Sequence, residues 1–154
     1  MSLVKAKEYL NKYGLDNKVI EFDVSSATVE EAAIALKCEP KFIAKTLSFL
    51  VCDKPILIVV SGDSKIDNAK YKKEFKVKAK MIPFDDVEEL IGHKVGGVCP
   101  FGIKENVEVY LDCSLKQLEK IYPACGSHNS AVELNLEELE KSSNYIRWID
   151  VCKE

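Results

Sequence analysis

The apolar and polar positions of this chain switch repeatedly between a helical and a strand-like period. Because hairpins and crossover helices are mixed, we expect a single domain over residues 1–154, of the α/β or mixed α+β class, with a mixed sheet flanked by helices. The predicted elements are a helix over residues 3–13, a strand over 19–24, a helix over 28–36, strands over 45–51 and 56–61, a helix over 67–75, a strand over 77–81, a helix over 85–91, a strand over 107–111, a helix over 114–120, strands over 121–124 and 131–134, a helix from Leu136 and an extended segment over 146–151.

Short local signals fix the ends of some elements. Thr28 and Glu31 form a capping-box pattern at the start of the second helix, and Ser114 and Gln117 repeat the pattern further along the chain. The run from Ile56 to Val60 is apolar throughout, which is typical of a strand covered on both faces. We therefore expect this strand at the centre of the sheet.

Composition limits the classes of protein to which the chain can belong. It has 154 residues, of which 47% are hydrophobic and 31% charged, which is typical of one folded domain. No apolar run is long enough to span a bilayer, and the N-terminus lacks a signal-peptide pattern. The six cysteines form no CxxC pair, and the two histidines are isolated. We therefore expect reduced thiols in a cytoplasmic protein, with no metal site, no cofactor and no membrane partner.

The net charge of −3 conceals an uneven distribution of charge. A lysine-rich segment, opposed only by Glu74, contains Lys70, Lys72, Lys73, Lys76, Lys78 and Lys80. A local basic face on an acidic protein fits a polyanion that touches one side, so Lys70, Lys72, Lys73 and Lys76 are candidate contacts for nucleic-acid phosphates. The alternative is a solvated helix face that serves solubility.

A glycine-rich loop spans Gly96 to Gly102 and contains three glycines and one proline. Glycine permits close approach to bare backbone N–H groups, and proline restricts the turn to one shape. The composition indicates a rigid frame that presents amides to a ligand. A buried turn between a helix and a strand is the alternative interpretation.

Four segments of the chain resemble one known family. They are Phe42-Ile43-Ala44-Lys45-Thr46-Leu47, Val59-Val60-Ser61-Gly62-Asp63 with Ile66-Asp67, Gly96-Gly97-Val98-Cys99-Pro100-Phe101-Gly102, and Gly126-Ser127-His128-Asn129-Ser130-Ala131-Val132-Glu133-Leu134. Their order and spacing are similar to those of the YbaK/prolyl-tRNA-editing superfamily, from Ser25 to Leu139. The glycine-rich loop is the most specific part of this similarity.

The resemblance implies both a fold and an activity. Members have a mixed, partly barrel-like sheet around a pocket, and they hydrolyse the ester between a wrong amino acid and the 3′ end of tRNA. Some lie within prolyl-tRNA synthetase and others are free-standing and edit in trans. A chain of 154 residues resembles the free-standing kind. Mischarged tRNA(Pro) is then the implied substrate, and a prolyl-tRNA synthetase is a candidate partner.

The resemblance also implies roles for individual residues. Lys45 would bind the terminal phosphate or orient the substrate carbonyl, and the amides of Gly96 and Gly97 would hold that carbonyl or the developing oxyanion. The ribose 2′-hydroxyl would position or activate the attacking water. Further substrate contacts are expected at Thr46, Val98, Cys99, Pro100, Phe101, Gly102, Gly126, Ser127 and His128.

Several alternatives remain open from the sequence. Cys99 has no histidine partner placed by the sequence, so we interpret it as a packing residue of the loop and not as a nucleophile. His128 either reaches the 3′ adenosine or only forms part of a turn. Ala131 stands where the Cys-tRNA(Pro) deacylase branch has an aspartate, which leaves alanine, cysteine and serine as candidate wrong amino acids. The alternative function is a non-catalytic adaptor that binds tRNA ends or an amino-acid-like ligand, and the oligomeric state is open.

Overall fold

The computed structural model describes residues 2–154, in which helices and strands follow one another along the chain. The helices are α1 (Ser2–Asn11), α2 (Val29–Leu36), α3 (Asn68–Phe75), α4 (Val87–Ile91) and α5 (Leu136–Ser142). The strands are β1 (Val19–Glu21), β2 (Ile43–Val51), β3 (Lys54–Ser61), β4 (Glu108–Asp112), β5 (Tyr122–Pro123), β6 (Ser130–Val132) and β7 (Trp148–Ile149). The mixed α/β class predicted from the sequence is confirmed.

The strands form a five-stranded sheet in the order β5-β2-β3-β4-β7 and a two-stranded sheet of β1 and β6. β2 and β3 are antiparallel, whereas β5 joins β2, and β4 joins β3, in parallel. Isolated bridges pair Ala124 with Ala131 and Ile121 with Leu134. Strand pairing therefore continues from one sheet into the other, as expected for a partly barrel-like arrangement.

The hairpin of β2 and β3 is the centre of the fold. Its turn residues, Cys52 and Asp53, both have positive φ, as a tight two-residue hairpin turn requires. Leu57 and Val59 pack into one apolar core, and Ile58 on the opposite face packs into a second. The predicted central strand is confirmed, because apolar side chains cover both of its faces.

The predicted helix over residues 114–120 is wrong. This segment holds only a short 3-10 turn at Cys113–Leu115. Asp112 caps the turn by accepting a hydrogen bond from the Ser114 N–H at 2.8 Å. The Ser114 hydroxyl instead accepts the N–H of Ser61, 3.1 Å away at the end of β3. A contact with a distant strand has therefore displaced the local cap.

Two other predicted strands are shorter than expected. The strand over 77–81 is reduced to one bridge between Phe49 and Met81, and the strand over 19–24 ends at Glu21. The first of these differences matters for the site described below. It leaves the outer edge of β2 paired at both ends but not in the middle.

Candidate active site

A cavity of about 450 Å³ lies against the outer edge of β2. Its wall is formed by residues of five segments: 26–29 and 32 at the start of α2, 43–48 of β2, 81, 82, 84 and 87, then 95, 96 and 98 at the glycine-rich loop, and finally 122, 124, 130 and 131. Segments that are distant in the sequence therefore meet around one concave space. A cavity of this size suits a small-molecule group.

The edge of β2 carries unpaired backbone inside this cavity. β5 pairs with Ile43 and Ala44, and the Ile82 N–H donates to the Ser48 carbonyl at 3.2 Å. Among residues 2–154, no strand pairs with this edge between those two points. Backbone groups of alternate strand residues point to the same edge, so the N–H and C=O of Thr46 point toward the cavity.

The side chain of Thr46 is also without a partner. Its Oγ1 is buried and has no hydrogen-bond partner among residues 2–154. A buried hydroxyl left unpaired costs about 1–3 kcal/mol. Thr46 lines the cavity, so its backbone edge and its hydroxyl are candidate hydrogen-bond partners for a bound ligand.

Lys45 lies beside Thr46 and also lines the cavity. The two side chains leave opposite faces of the sheet, and the cavity reaches both because it lies at the strand edge. Lys45 is half-buried and has no carboxylate within 4.0 Å among the described residues. No aspartate or glutamate lines the cavity wall in residues 2–154. The ammonium group is therefore available to a phosphate, a carbonyl oxygen or an oxyanion.

The glycine-rich loop forms another part of the cavity wall. Gly96 and Val98 line the cavity, and Gly96 has a φ of +96°, where glycine is favoured. Gly97 lies behind the wall, with its carbonyl 2.9 Å from the N–H of Gly126. A Cβ at Gly97 would lie 2.5 Å from the backbone nitrogen of Ser127. The two loops thus touch backbone to backbone.

The rest of the glycine-rich loop is buried behind the cavity wall. Cys99, Pro100 and Phe101 are buried and Gly102 packs against the backbone of Lys5 in α1, so none of the four lines the cavity. Burial raises the pKa of the Cys99 thiol well above its usual value. The thiol is therefore protonated and packs in the core, as interpreted from the sequence.

A buried histidine fixes this part of the loop. His93 Nε2 donates to the Phe101 carbonyl at 2.6 Å and lies 3.5 Å from the Cys99 sulfur. Burial lowers the pKa of His93, while the hydrogen bond to Phe101 opposes this shift and the charge of Lys5 adds to it by a smaller amount. A neutral ring with its proton on Nε2 fits this geometry. Sequence reasoning had treated His93 only as an isolated histidine.

The second predicted loop supports the cavity from outside. Gly126 packs against the start of α1, and the Ser127 hydroxyl lies 2.6 Å from the Ser130 hydroxyl. The His128 side chain is exposed, and its carbonyl accepts the Ser26 N–H at 2.7 Å. These three residues do not line the cavity, whereas the neighbouring Ser130 and Ala131 do.

The candidate phosphate-binding lysines fall into two groups. Lys70 forms ion pairs with Asp150 at 3.1 Å and Glu154 at 3.6 Å. Lys72, Lys73 and Lys76 are exposed. The three exposed lysines are free to contact a polyanion, while Lys70 is held by the C-terminal segment.

Sequence reasoning missed several parts of the cavity wall. Ser26 and Thr28 reach it because α2 begins there, and Met81 and Phe84 reach it from the segment between α3 and α4. The one available signal was Phe84, an aromatic residue between a proline and two aspartates, in a polar segment where a large apolar side chain is unexpected.

Among residues 2–154, none of the helices has both the length and the apolar character that a membrane span requires. Within the same residues, no cluster of three or more His, Cys, Asp or Glu has the arrangement of a metal site.

The fold and the cavity define a small α/β domain with an exposed strand edge, a lysine and a glycine-rich backbone in one site. A family model described as an aminoacyl-tRNA editing domain matches residues 23–142, so the chain belongs to that family. It is accordingly an aminoacyl-tRNA deacylase, as the resemblance implied.

The chain is also similar to individual proteins. The chain is 48% identical to the uncharacterized protein YwhH of Bacillus subtilis, over 100% of this chain and 99% of the relative. It is 28% identical to a proline–tRNA ligase of Bacillus cytotoxicus over 76% of this chain, but spans only 21% of the ligase. A solved structure described as a candidate trans-editing enzyme for prolyl tRNA synthetase superposes with a TM-score of 0.88 and 27% identity, over 99% of this chain and 98% of that one.

Proposed function

We propose that this protein edits in trans, hydrolysing the ester of a tRNA(Pro) that carries a small wrong amino acid. The observation that carries the proposal is one cavity that holds Lys45, the unpaired edge and hydroxyl of Thr46, and the backbone of Gly96. Similarity to a candidate trans-editing enzyme and to proline–tRNA ligases supports the choice of tRNA(Pro), with a prolyl-tRNA synthetase as the candidate partner.

The reaction needs positioning and charge stabilisation more than a protein nucleophile. Water adds to the ester carbonyl carbon, the bond to the ribose oxygen breaks, and that oxygen leaves with a proton as a tRNA hydroxyl. In our proposal Lys45 and the amide of Gly96 stabilise the negative charge that develops on the carbonyl oxygen. The adjacent ribose 2′-hydroxyl orients the water, so the substrate supplies part of the machinery.

The wall of the cavity favours an uncharged amino acid. It is lined mainly by apolar side chains, and no carboxylate lines it among the described residues. Ala131 leaves the pocket without the acidic group of the Cys-tRNA(Pro) deacylase branch. Alanine and serine therefore join cysteine as candidate substrates, and one methylene changes selectivity by only about 1–3 kcal/mol.

Deacylation of tRNA(Pro) charged separately with alanine, cysteine, serine and proline tests this proposal. We expect hydrolysis of at least one wrong ester, sparing of prolyl-tRNA, and a loss of about 100-fold or more for Lys45→Ala. Lys41→Ala is the matched control, because Lys41 is an exposed lysine near the same strand, paired with Glu39 outside the cavity wall. Binding of tRNA without hydrolysis of any ester would contradict the proposal and support the adaptor function.

A further inference from the structure

Two large apolar side chains at the cavity are exposed. Met81 is 58% exposed and Phe84 is 74% exposed, and both line the cavity wall. Exposed aromatic surface beside a binding cavity marks a contact with a ligand or a partner. We propose that Phe84, supported by Met81, is a platform on which the terminal adenine of the tRNA stacks. This inference rests on the proposed function, because it places the nucleoside that carries the ester.

The platform is held by buried residues on both sides. Ile82 is buried and its N–H donates to the Ser48 carbonyl at 3.2 Å, while Val87 is buried at the start of α4. Between them, the Asp86 N–H donates to the Pro83 carbonyl at 2.9 Å. The Phe84 ring is therefore presented by a turn fixed at both ends, which lowers the entropic cost of ordering it against a base.

Phe84 lines the same cavity as Thr46 and Gly96, so the base of a substrate bound there can reach this ring. The amino acid is joined to the ribose and the ribose to the base, so an ester carbonyl between Thr46 and Gly96 puts the base one sugar away from the cavity interior. Phe84 takes part in none of the aromatic pairs or cation–π contacts of residues 2–154. Its face is thus open, and an open aromatic face stacks on a nucleobase.

Charge near the ring also fits a nucleic-acid end. Lys80 and Lys94 are exposed and directly precede the cavity residues Met81 and Val95. Lysines in these positions can meet the phosphates of the nucleotides before the terminal one.

The test combines an enzyme variant with a substrate variant. For Phe84→Ala we expect kcat/KM for the aminoacyl-tRNA to fall roughly 5- to 150-fold, the range measured for loss of one base–aromatic stack. The same variant should match wild type on an aminoacyl-tRNA whose terminal ribose lacks its base. Phe84→Trp should restore activity, and Ile34→Ala, which truncates a 78% exposed side chain on α2 outside the cavity wall, should change neither substrate.

Binding gives a second readout that does not require turnover. In the Phe84→Trp variant, an oligonucleotide ending in CCA should quench the new tryptophan fluorescence, whereas the same oligonucleotide without its last base should not. Equal loss of activity on both substrates, or equal quenching by both oligonucleotides, would overturn the inference. So would a change in sedimentation alone, which would make the ring a contact between copies of this chain. Absence of hydrolysis by wild type would reject the proposed function, while the quenching measurement would still decide the inference.

Discussion

Replacement of Thr46 by valine should stabilise this protein and slow its reaction. Valine has the same shape as threonine and keeps the β-branched side chain that suits a strand. It removes a buried hydroxyl that has no partner among residues 2–154. Removal of that desolvation penalty should raise the free energy of unfolding by about 1–3 kcal/mol. For a domain of this size, the gain corresponds to a rise in Tm of roughly 2 to 12 °C.

The same substitution should lower activity because the substrate loses a hydrogen-bond partner. A net hydrogen bond of about 0.5–1.5 kcal/mol corresponds to a roughly 2- to 12-fold fall in kcat/KM. Urea denaturation and deacylation kinetics measure the two effects on one preparation. Thr46→Ser is the matched control: it keeps the hydroxyl, so activity should persist, and it loses a methyl group worth about 0.8 kcal/mol. A destabilised Thr46→Val protein, or one with unchanged kcat/KM, would refute the assignment of Thr46 to the site.

Three further predictions concern the loops, the buried histidine and the lysines. Gly97→Ala should destabilise the fold by about 1–3 kcal/mol and reduce activity, because the new Cβ would lie 2.5 Å from the backbone of the second loop. Gly14→Ala is the control: a Cβ at Gly14 meets open space, but the φ of +71° is strained for alanine, so stability should fall without a loss of activity. Burial lowers the pKa of His93, so below about pH 6.5 the unfolded chain binds a proton at this residue more readily than the folded chain does. The free energy of unfolding should therefore fall as the pH drops below 6.5. His93→Gln should make the free energy of unfolding less dependent on pH between about pH 7 and 5. If that dependence is the same in both proteins, His93 is not held neutral by the fold. Reversal of charge at Lys72 and Lys73 should weaken tRNA binding and reduce its salt dependence without changing amino-acid preference. The same reversal at Lys141 on α5 should change neither the affinity for tRNA nor its salt dependence. Unchanged affinity in the Lys72 and Lys73 variant would show that the lysine-rich face is only solvated.

Local sequence signals predicted some helix ends and failed at another for one physical reason. The capping box at Thr28 forms as the pattern indicates, because its partner Glu31 lies within the same helical turn. Ser114 carries the same pattern, but its hydroxyl is taken by the backbone of Ser61. A pattern read within four residues cannot contain a competitor that is 53 residues away.

The candidate site was predictable in its chemistry but not in its outline. Lys45, Thr46 and Gly96 were expected from the resemblance of their segments to the editing family, and all three line the cavity. The open strand edge at Thr46 was not predictable, since it depends on where β5 ends and where the Met81 bridge begins. Neither end is encoded in the residues of β2 itself.

The open edge of β2 links the stability of this protein to its function. An unpaired strand edge and a buried hydroxyl are both unfavourable in a free protein, and most folds cover or pair them. Here both occur at Thr46, next to a lysine without a carboxylate, and these two residues line one cavity. A carbonyl oxygen, an ester group and a nearby phosphate supply the partners that these groups lack. In the free protein, Lys45 and Thr46 therefore carry unpaired groups for which a bound substrate would supply partners. Substitutions that remove these groups should raise stability and lower activity.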